Sequence, residues 1–497
     1  MFRKTVVTAA LAAAVVALAA PLAAQAADDR ELAQIRDQIR QMKDEYEARI
    51  HALELRLQQA EANGRVATSS APGVPALSAA MNAPPTAPVL PASTGAITAG
   101  TVPAAATARA GGAAANAYNP AIALILGGTY AHLSQDPAQY RIQGFIPGGE
   151  ETGPGSRNFN LGESELTLAA NIDHRFSGQL TFALSQDNSA SVEEAFFRTQ
   201  GLASGVNLMA GRFLSGVGYL NSQHAHAWDF SDAPLVYQAM FGVQYKTDGV
   251  QLKWVAPTDY FLELGAEVGR GAGFPGTERN KNGIASAAAF VHLGDDIGDS
   301  ASWRLGLSYL RNRADGRAYE DVDRAGASID NAFSGRSGTW IADAIYKWAP
   351  GGNATQTNLK LQGEYFRRNE RGTLTYDTKA QSLGTISSNY NAVQSGWYAQ
   401  GIYQFMPQWR FGLRFDKLYS GTSRIAAVDD GTLSVADFSR LLAYNPSRST
   451  AMIDYSPSEF SRFRVQWARD SARPGVTDNQ LFLQYIMSLG VHGAHAF

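Results

Sequence analysis

Chemistry-bearing side chains crowd one stretch of this sequence, residues 215–248, where Tyr219, His224, His226, Trp228, Asp229, Asp232 and Tyr237 follow one another with few flexible residues between them. Neutral imidazole is a good ligand for Zn²⁺ or Cu²⁺, and in an extended segment the spacing His224-Ala225-His226 turns both rings to one side. Asp229 is a carboxylate that can complete such a set. Two imidazoles do not make a site, and an HxH beside Trp228 is more often a hydrogen-bonded structural element. The sequence therefore assigns neither metal nor cofactor. His492 and His495 form a second histidine pair near the C-terminus.

Charge is the other candidate chemistry. Lys253, Arg304, Lys360, Arg410, Arg414, Arg462 and Arg464 fall on the polar phase of alternating segments, with Glu165, Glu263, Glu267, Glu364 and Asp416 interspersed. Four of these arginines lie on two late segments and form a basic ladder facing the acidic part of 215–248. Opposed charges across a water-filled passage select ions by sign and orient dipolar solutes. Catalysis has no comparable support. Serine and histidine occur without a GxSxG elbow, no GxxxxGK[ST] loop is present, and the pair Glu193-Glu194 is expected within a strand rather than in a cleft. With no cysteine, thiol chemistry and disulfides are excluded too. The chain is expected not to be an enzyme.

Such residues need strands to aim them. From Tyr118 to Phe497 the sequence alternates with period two in segments of about ten residues, the pattern of membrane strands with one wet and one apolar side. Leu166, Leu168, Ala170 and Ile172 alternate with Glu165, Thr167 and Asn171; Phe463, Val465 and Trp467 alternate with Arg462, Arg464 and Gln466. In a bacterial barrel short turns alternate with long loops. Counting Phe241 to Tyr245 as a strand gives seventeen and breaks that parity. Leaving it inside a loop gives about sixteen, enough to enclose a water-filled channel. The long loops then include Ser134 to Asn160, Ser215 to Asp248, Gly271 to Gly283, Arg311 to Gly338, Gly372 to Ser395 and Tyr419 to Ser449. The aromatic-rich Ser215 to Asp248 loop is expected to fold inward as a constriction.

What precedes the barrel reads as three segments. Residues 1–26 begin with Arg3 and Lys4, continue as an apolar run and end in Ala24-Gln25-Ala26, which fits a signal peptide. Residues 27–63 place Leu32, Ile35, Ile39, Met42, Tyr46, Ile50, Leu53 and Leu57 at gaps of three and four, a heptad seam with one stutter, hence an α-helical coiled coil in the periplasm whose isoleucines lean toward three strands. Residues 64–117 are Ala- and Pro-rich with almost no charge, a disordered linker. The barrel occupies 118–497. Net charge is −3, and −5 once Arg3 and Lys4 are removed, so no general attraction to nucleic acid is expected.

With coiled coil, linker and barrel placed, the layout resembles the DcaP-like trimeric outer-membrane porins that carry N-terminal coiled coils and, more distantly, the phosphate-selective porins. The run Glu165 to Phe213 is the part most similar to their early hairpins. The resemblance implies a sixteen-stranded homotrimer in the bacterial outer membrane that passes small anionic solutes. The His-rich loop departs from it, and the dense lysine cluster of the phosphate-selective kind is absent. The expected function is passive diffusion of small hydrophilic, anionic solutes. Expected partners are outer-membrane lipid and lipopolysaccharide, with peptidoglycan reached through the coiled coil. The alternatives are a metal-importing receptor of the inner-membrane-energised class, for which no plug domain is evident, and a barrel-anchored structural protein.

Overall fold

The computed structural model describes residues 120–490 apart from 150–151, 163, 186–188, 201 and 203–204. The signal peptide, coiled coil and linker expected from the sequence, and His492, His495 and Phe497, lie outside the described residues. Among those described, sixteen long strands run in chain order as β1 Ala121–Leu133, β2 Ser164–Asn171, β3 Phe176–Leu184, β4 Ala190–Thr199, β5 Val206–Leu214, β6 Lys246–Val255, β7 Phe261–Gly269, β8 Ser286–Ile297, β9 Ala301–Val322, β10 Ser328–Trp348, β11 Asn358–Tyr376, β12 Ile386–Met406, β13 Trp409–Tyr419, β14 Ser447–Ser458, β15 Ser461–Arg473 and β16 Val476–Gly490. Each pairs antiparallel with its successor, and β1 pairs with β16 from Ala123↔Gly490 to Leu133↔Gln480. The sheet closes on itself and leaves no open edge.

Two short strand pieces, Asn158–Leu161 and Arg424–Ile425, lie in connections and do not span. The count of sixteen expected from turn parity therefore holds. One end of the barrel carries brief turns, such as 407–408 between β12 and β13; the other carries the long connections 134–163, 215–245, 270–285 and 420–446. Two expected long loops are corrected. Residues 311–338 and 372–395 are mostly strand, because β9 to β12 run up to twenty-two residues and extend far past the barrel body. Past the barrel body their outward side turns polar and the apolar residues, Tyr319, Ile329, Phe333, Leu374 and Tyr390 among them, are buried instead, so the outward apolar phase of a membrane strand ends before the strand does.

Sidedness follows the alternation. On β15 Phe463, Val465 and Trp467 are exposed, while Arg462, Arg464 and Gln466 are at most 2% exposed and point inward. Leu305, Leu307, Leu413, Phe415, Leu483 and Leu489 add to the apolar exterior. Outward aromatic pairs gather at two levels, Trp409–Tyr455 and Phe463–Tyr485 near the turn end, Tyr309–Trp340 and Trp397–Phe415 nearer the long loops. Polar and charged side chains fill the inside.

Candidate functional site

The interior is crossed by the connection between β5 and β6, residues 215–245, which folds inward against the wall. Phe241 to Tyr245 is no strand; the short helix α1, Leu235–Phe241, is buried throughout. It ends on Gly242 in the left-handed conformation (φ 65°), where a Cβ would meet the Gly148 carbonyl oxygen at 2.3 Å, so only glycine closes this cap. Val236, Tyr237, Met240 and Phe241 pack with Phe366, Tyr398 and Leu418 of the wall. Burial of this apolar face holds the loop inside the barrel rather than in solvent.

Hydrogen bonds fix the loop at several points around the wall. Ser215 Oγ and Gly216 N donate to the Glu267 carboxylate at 2.6 and 2.8 Å. Glu364 on β11 accepts from Tyr219 N at 3.1 Å, Leu220 N at 3.0 Å, the Tyr237 hydroxyl at 2.9 Å and the Tyr398 hydroxyl at 2.6 Å. A buried carboxylate with four donors is well satisfied. Leu235 N donates to Asp416 at 2.9 Å.

Loop aspartates meet the basic ladder directly. Asp229 pairs with Lys360 at 2.5 Å and Arg410 at 3.2 Å. Asp232 pairs with Arg414 at 2.8 Å and Arg448 at 2.6 Å, and Gln466 donates to it at 2.8 Å. Arg464 reaches Asp454 at 3.4 Å and donates to the Trp228 carbonyl at 2.9 Å; Arg462 donates to the His226 carbonyl. Burial alone would raise the pKa of both loop aspartates. The Lys360 and Arg410 charges hold Asp229 far below the usual carboxylate range, and Arg414 with Arg448 lower Asp232.

On the opposite arc the loop meets glutamates. Pairing of β3 with β4 shifts register between Thr181↔Glu194 and Phe182↔Val192, a bulge that passes over Glu193. Both Glu193 and Glu194 are consequently buried inside, where strict alternation would place them on opposite faces. His224 Nδ1 lies 2.7 Å from Glu165 Oε2 and 3.3 Å from Glu193 Oε2, and its Nε2 lies 3.0 Å from Glu194 Oε2. His226 Nδ1 lies 2.9 Å from Glu165 Oε1. Burial by itself would lower the pKa of His224, but Glu165, Glu193 and Glu194 raise it well above the ordinary histidine value.

Exposure within the ion pairs is unequal. Arg304 is 22% exposed and its partner Asp343 0%; Arg410 is 19% exposed and Asp454 0%. Lys253, 31% exposed, exceeds Glu263, and Lys360 exceeds Asp229. In these four pairs water meets the cation more than its carboxylate; in the Asp232 cluster the order reverses, Asp232 being 13% exposed against 1% and 2% for Arg414 and Arg448. Arg304 also stacks over the Tyr219 ring at 4.8 Å.

The seven loop residues and seven basic residues singled out in the sequence lie in the inner loop or on the inner wall, but Asp229 lies with Lys360 and Arg410, and the third group beside the histidines is Glu165. Arg448 was missed because it sits at the second position of β14, where the sequence pattern read loop. Glu193 and Glu194 were missed because a bulge has no signal in alternation.

No protein-family model matches the sequence. It is 31% identical over 368 residues to an uncharacterized protein of Aquifex aeolicus (strain VF5), an alignment covering 70% of this chain and 73% of that protein. Among solved structures the fold is similar to the outer membrane channel DcaP of Acinetobacter baumannii (10% identity, 74% of this chain and 97% of that one, TM-score 0.45). It is also similar to OmpT, an outer membrane protein of Vibrio cholerae (10% identity, 76% and 99%, TM-score 0.45), and to OprB of Pseudomonas putida (14% identity, 75% and 94%, TM-score 0.44).

Proposed function

The chain belongs to the family of that Aquifex aeolicus protein, and we propose that it is an outer-membrane porin through which small hydrophilic anions diffuse passively. The observation that carries this reading is the pairing of an apolar exterior with an interior in which Lys253, Arg304 and Arg410 are the more exposed members of their ion pairs. An exterior of leucine, phenylalanine and tryptophan on a closed barrel suits hydrocarbon, where backbone groups must all be paired and edges abolished. Aromatic pairs at two levels fit the two interfaces of a bilayer. Inside, Lys253, Arg304, Lys360 and Arg410 present positive charge to a passing solute, with their carboxylates recessed. The field attracts anions such as carboxylates, and the loop narrows the passage. The mechanism is steric and electrostatic, with no covalent step.

The exterior supports lipopolysaccharide as a partner. Arg313, Arg336 and Arg371 are exposed and directly opposite one another across β9, β10 and β11, with Arg311 and Arg367 beside them and Asn391 next in the row. Like charges facing across strands repel, and phosphate groups of a lipid headgroup, just beyond the Tyr309–Trp340 level, relieve that repulsion. The homotrimer joins this reading from the heptad seam.

Planar-bilayer recording tests the function. Discrete openings, stepping in threes, with a reversal potential on the anion side in a salt gradient are expected; a barrel that never conducts would overturn the reading.

A further inference from the structure

We infer that Glu165, His224 and His226 form a binding site for a first-row divalent transition-metal cation of the Zn²⁺ type, fastening the inner loop to the barrel wall. One ligand atom from each of the three residues falls within 4.8 Å of the others, from two sequence regions that only the folded loop brings together. Both oxygens of Glu165 face an imidazole Nδ1, at 2.7 and 2.9 Å. A cation placed among these donors needs only a small parting of groups already converged.

The surroundings argue for a cation. Glu193 and Glu194, brought inward by the β4 bulge, add two carboxylates against His224. Elsewhere in the interior Asp229, Asp232, Asp343, Asp416 and Asp454 each meet lysine or arginine, and Glu267 and Glu364 are each satisfied by several neutral donors. Here three glutamates face imidazole, and their ion pairs among the described residues are with histidine. Glu193 Oε2 is buried, with His224 Nδ1 at 3.3 Å beside it. Three carboxylates gathered in a dry place favour positive charge, and a divalent ion supplies more of it than an imidazolium.

Donor type and support select the class of ion. Two imidazoles with carboxylate oxygen and no sulfur suit Zn²⁺ and its first-row neighbours better than Ca²⁺ or Mg²⁺, which take oxygen sets. Glu194 meets His224 Nε2 at 3.0 Å, the kind of outer contact that orients a ligating imidazole, and is itself held by Leu214 N at 3.0 Å and Gln179 Nε2 at 3.2 Å. Glu165 and His226 are nearly fully buried while His224 keeps 16% exposure, which leaves one side through which an ion enters.

The test uses the full chain, purified in detergent, stripped with chelator and titrated with ZnCl₂ in a calorimeter. One Zn²⁺ per chain is expected, weakened at least about tenfold by His224→Ala, His226→Ala or Glu165→Gln. Replacing His51, His492 and His495 by alanine should leave binding unchanged. Absence of saturable uptake, or variants that bind as tightly as the parent, would overturn the assignment. Should a variant fail to fold, judged by heat-modifiable gel migration, X-ray absorption of the zinc-loaded parent decides: two imidazole nitrogens with oxygen support the site, and a spectrum without imidazole refutes it. These readouts follow metal and not conductance, so the porin reading stands or falls separately.

Discussion

Arg410→Gln gives the sharpest trial of the electrostatic mechanism, because the structure says both that the variant folds and how far it should shift selectivity. Arg410 joins Asp229 at 3.2 Å and Asp454 at 2.6 Å, yet each carboxylate keeps another cation when it is gone, Lys360 at 2.5 Å for Asp229 and Arg464 at 3.4 Å for Asp454. No buried charge is stranded. What the passage loses is one partly exposed positive charge. At about 8 Å from a permeating ion, with the dielectric of water, that charge is worth ~0.5 kcal/mol, favourable for an anion and unfavourable for a cation. Removing it should change the anion-to-cation permeability ratio by ~1 kcal/mol, about fivefold toward cations. The measurement is the reversal potential across a KCl gradient near 10 mM, where the screening length is about 30 Å; near 1 M, where it is about 3 Å, the difference should vanish. Arg469→Gln, which alters an exposed outward arginine on β15, is the control and should change nothing. An Arg410→Gln channel with intact conductance and an unaltered low-salt ratio would refute the idea that recessed carboxylates leave the cations to set selectivity.

Three further outcomes follow from the same geometry. Arg414 is 1% exposed and lies between Asp232 and Asp416, so Arg414→Met, which unbalances a buried network, should cost about 3 to 5 kcal/mol in urea unfolding, whereas an unchanged midpoint would mean that the network is not formed. Asp229 has a depressed pKa in the folded chain, so its stabilising contribution is full above the unfolded value of about 3.9 and is lost as pH falls through the lower folded value. The stability gap between the parent and Asp229→Asn should therefore stay constant from pH 8 to about pH 5 and shrink only in stronger acid; a gap that already closes between pH 7 and pH 5 contradicts the ion pairs. Replacing Arg313, Arg336 and Arg371 together by glutamine should reduce co-purified lipopolysaccharide severalfold by mass spectrometry while the barrel still folds, and equal retention would remove the headgroup assignment.

How much of this was legible in the sequence depends on what carried the information. The barrel was, because a strand with one wet side repeats every two residues, and Phe463-Arg464-Val465 needs only that rule to place arginine inside. The inward loop was too, since Trp228, Tyr237 and Phe241 are too apolar for a loop left in solvent. Strand length was not: β9 and β10 continue past Tyr309 and Trp340 with exposed arginine and serine on the outside and Tyr319, Ile329 and Phe333 buried, the reverse of the phase that marks the membrane strands. The partners of the loop were hardest. Asp229 was the natural companion for His224 and His226 by proximity along the chain, but five residues of loop turn it toward β11 and β13, while Glu165, fifty-nine residues before His224, lies within hydrogen-bond reach of both rings. The bulge that turns Glu193 and Glu194 inward together depends on how β3 and β4 settle their register, which is a property of two strands and appears in neither sequence alone. Chemistry that rests on alternation can be read from one strand; chemistry that rests on register and on a loop crossing the barrel exists only once the sheet has closed around it.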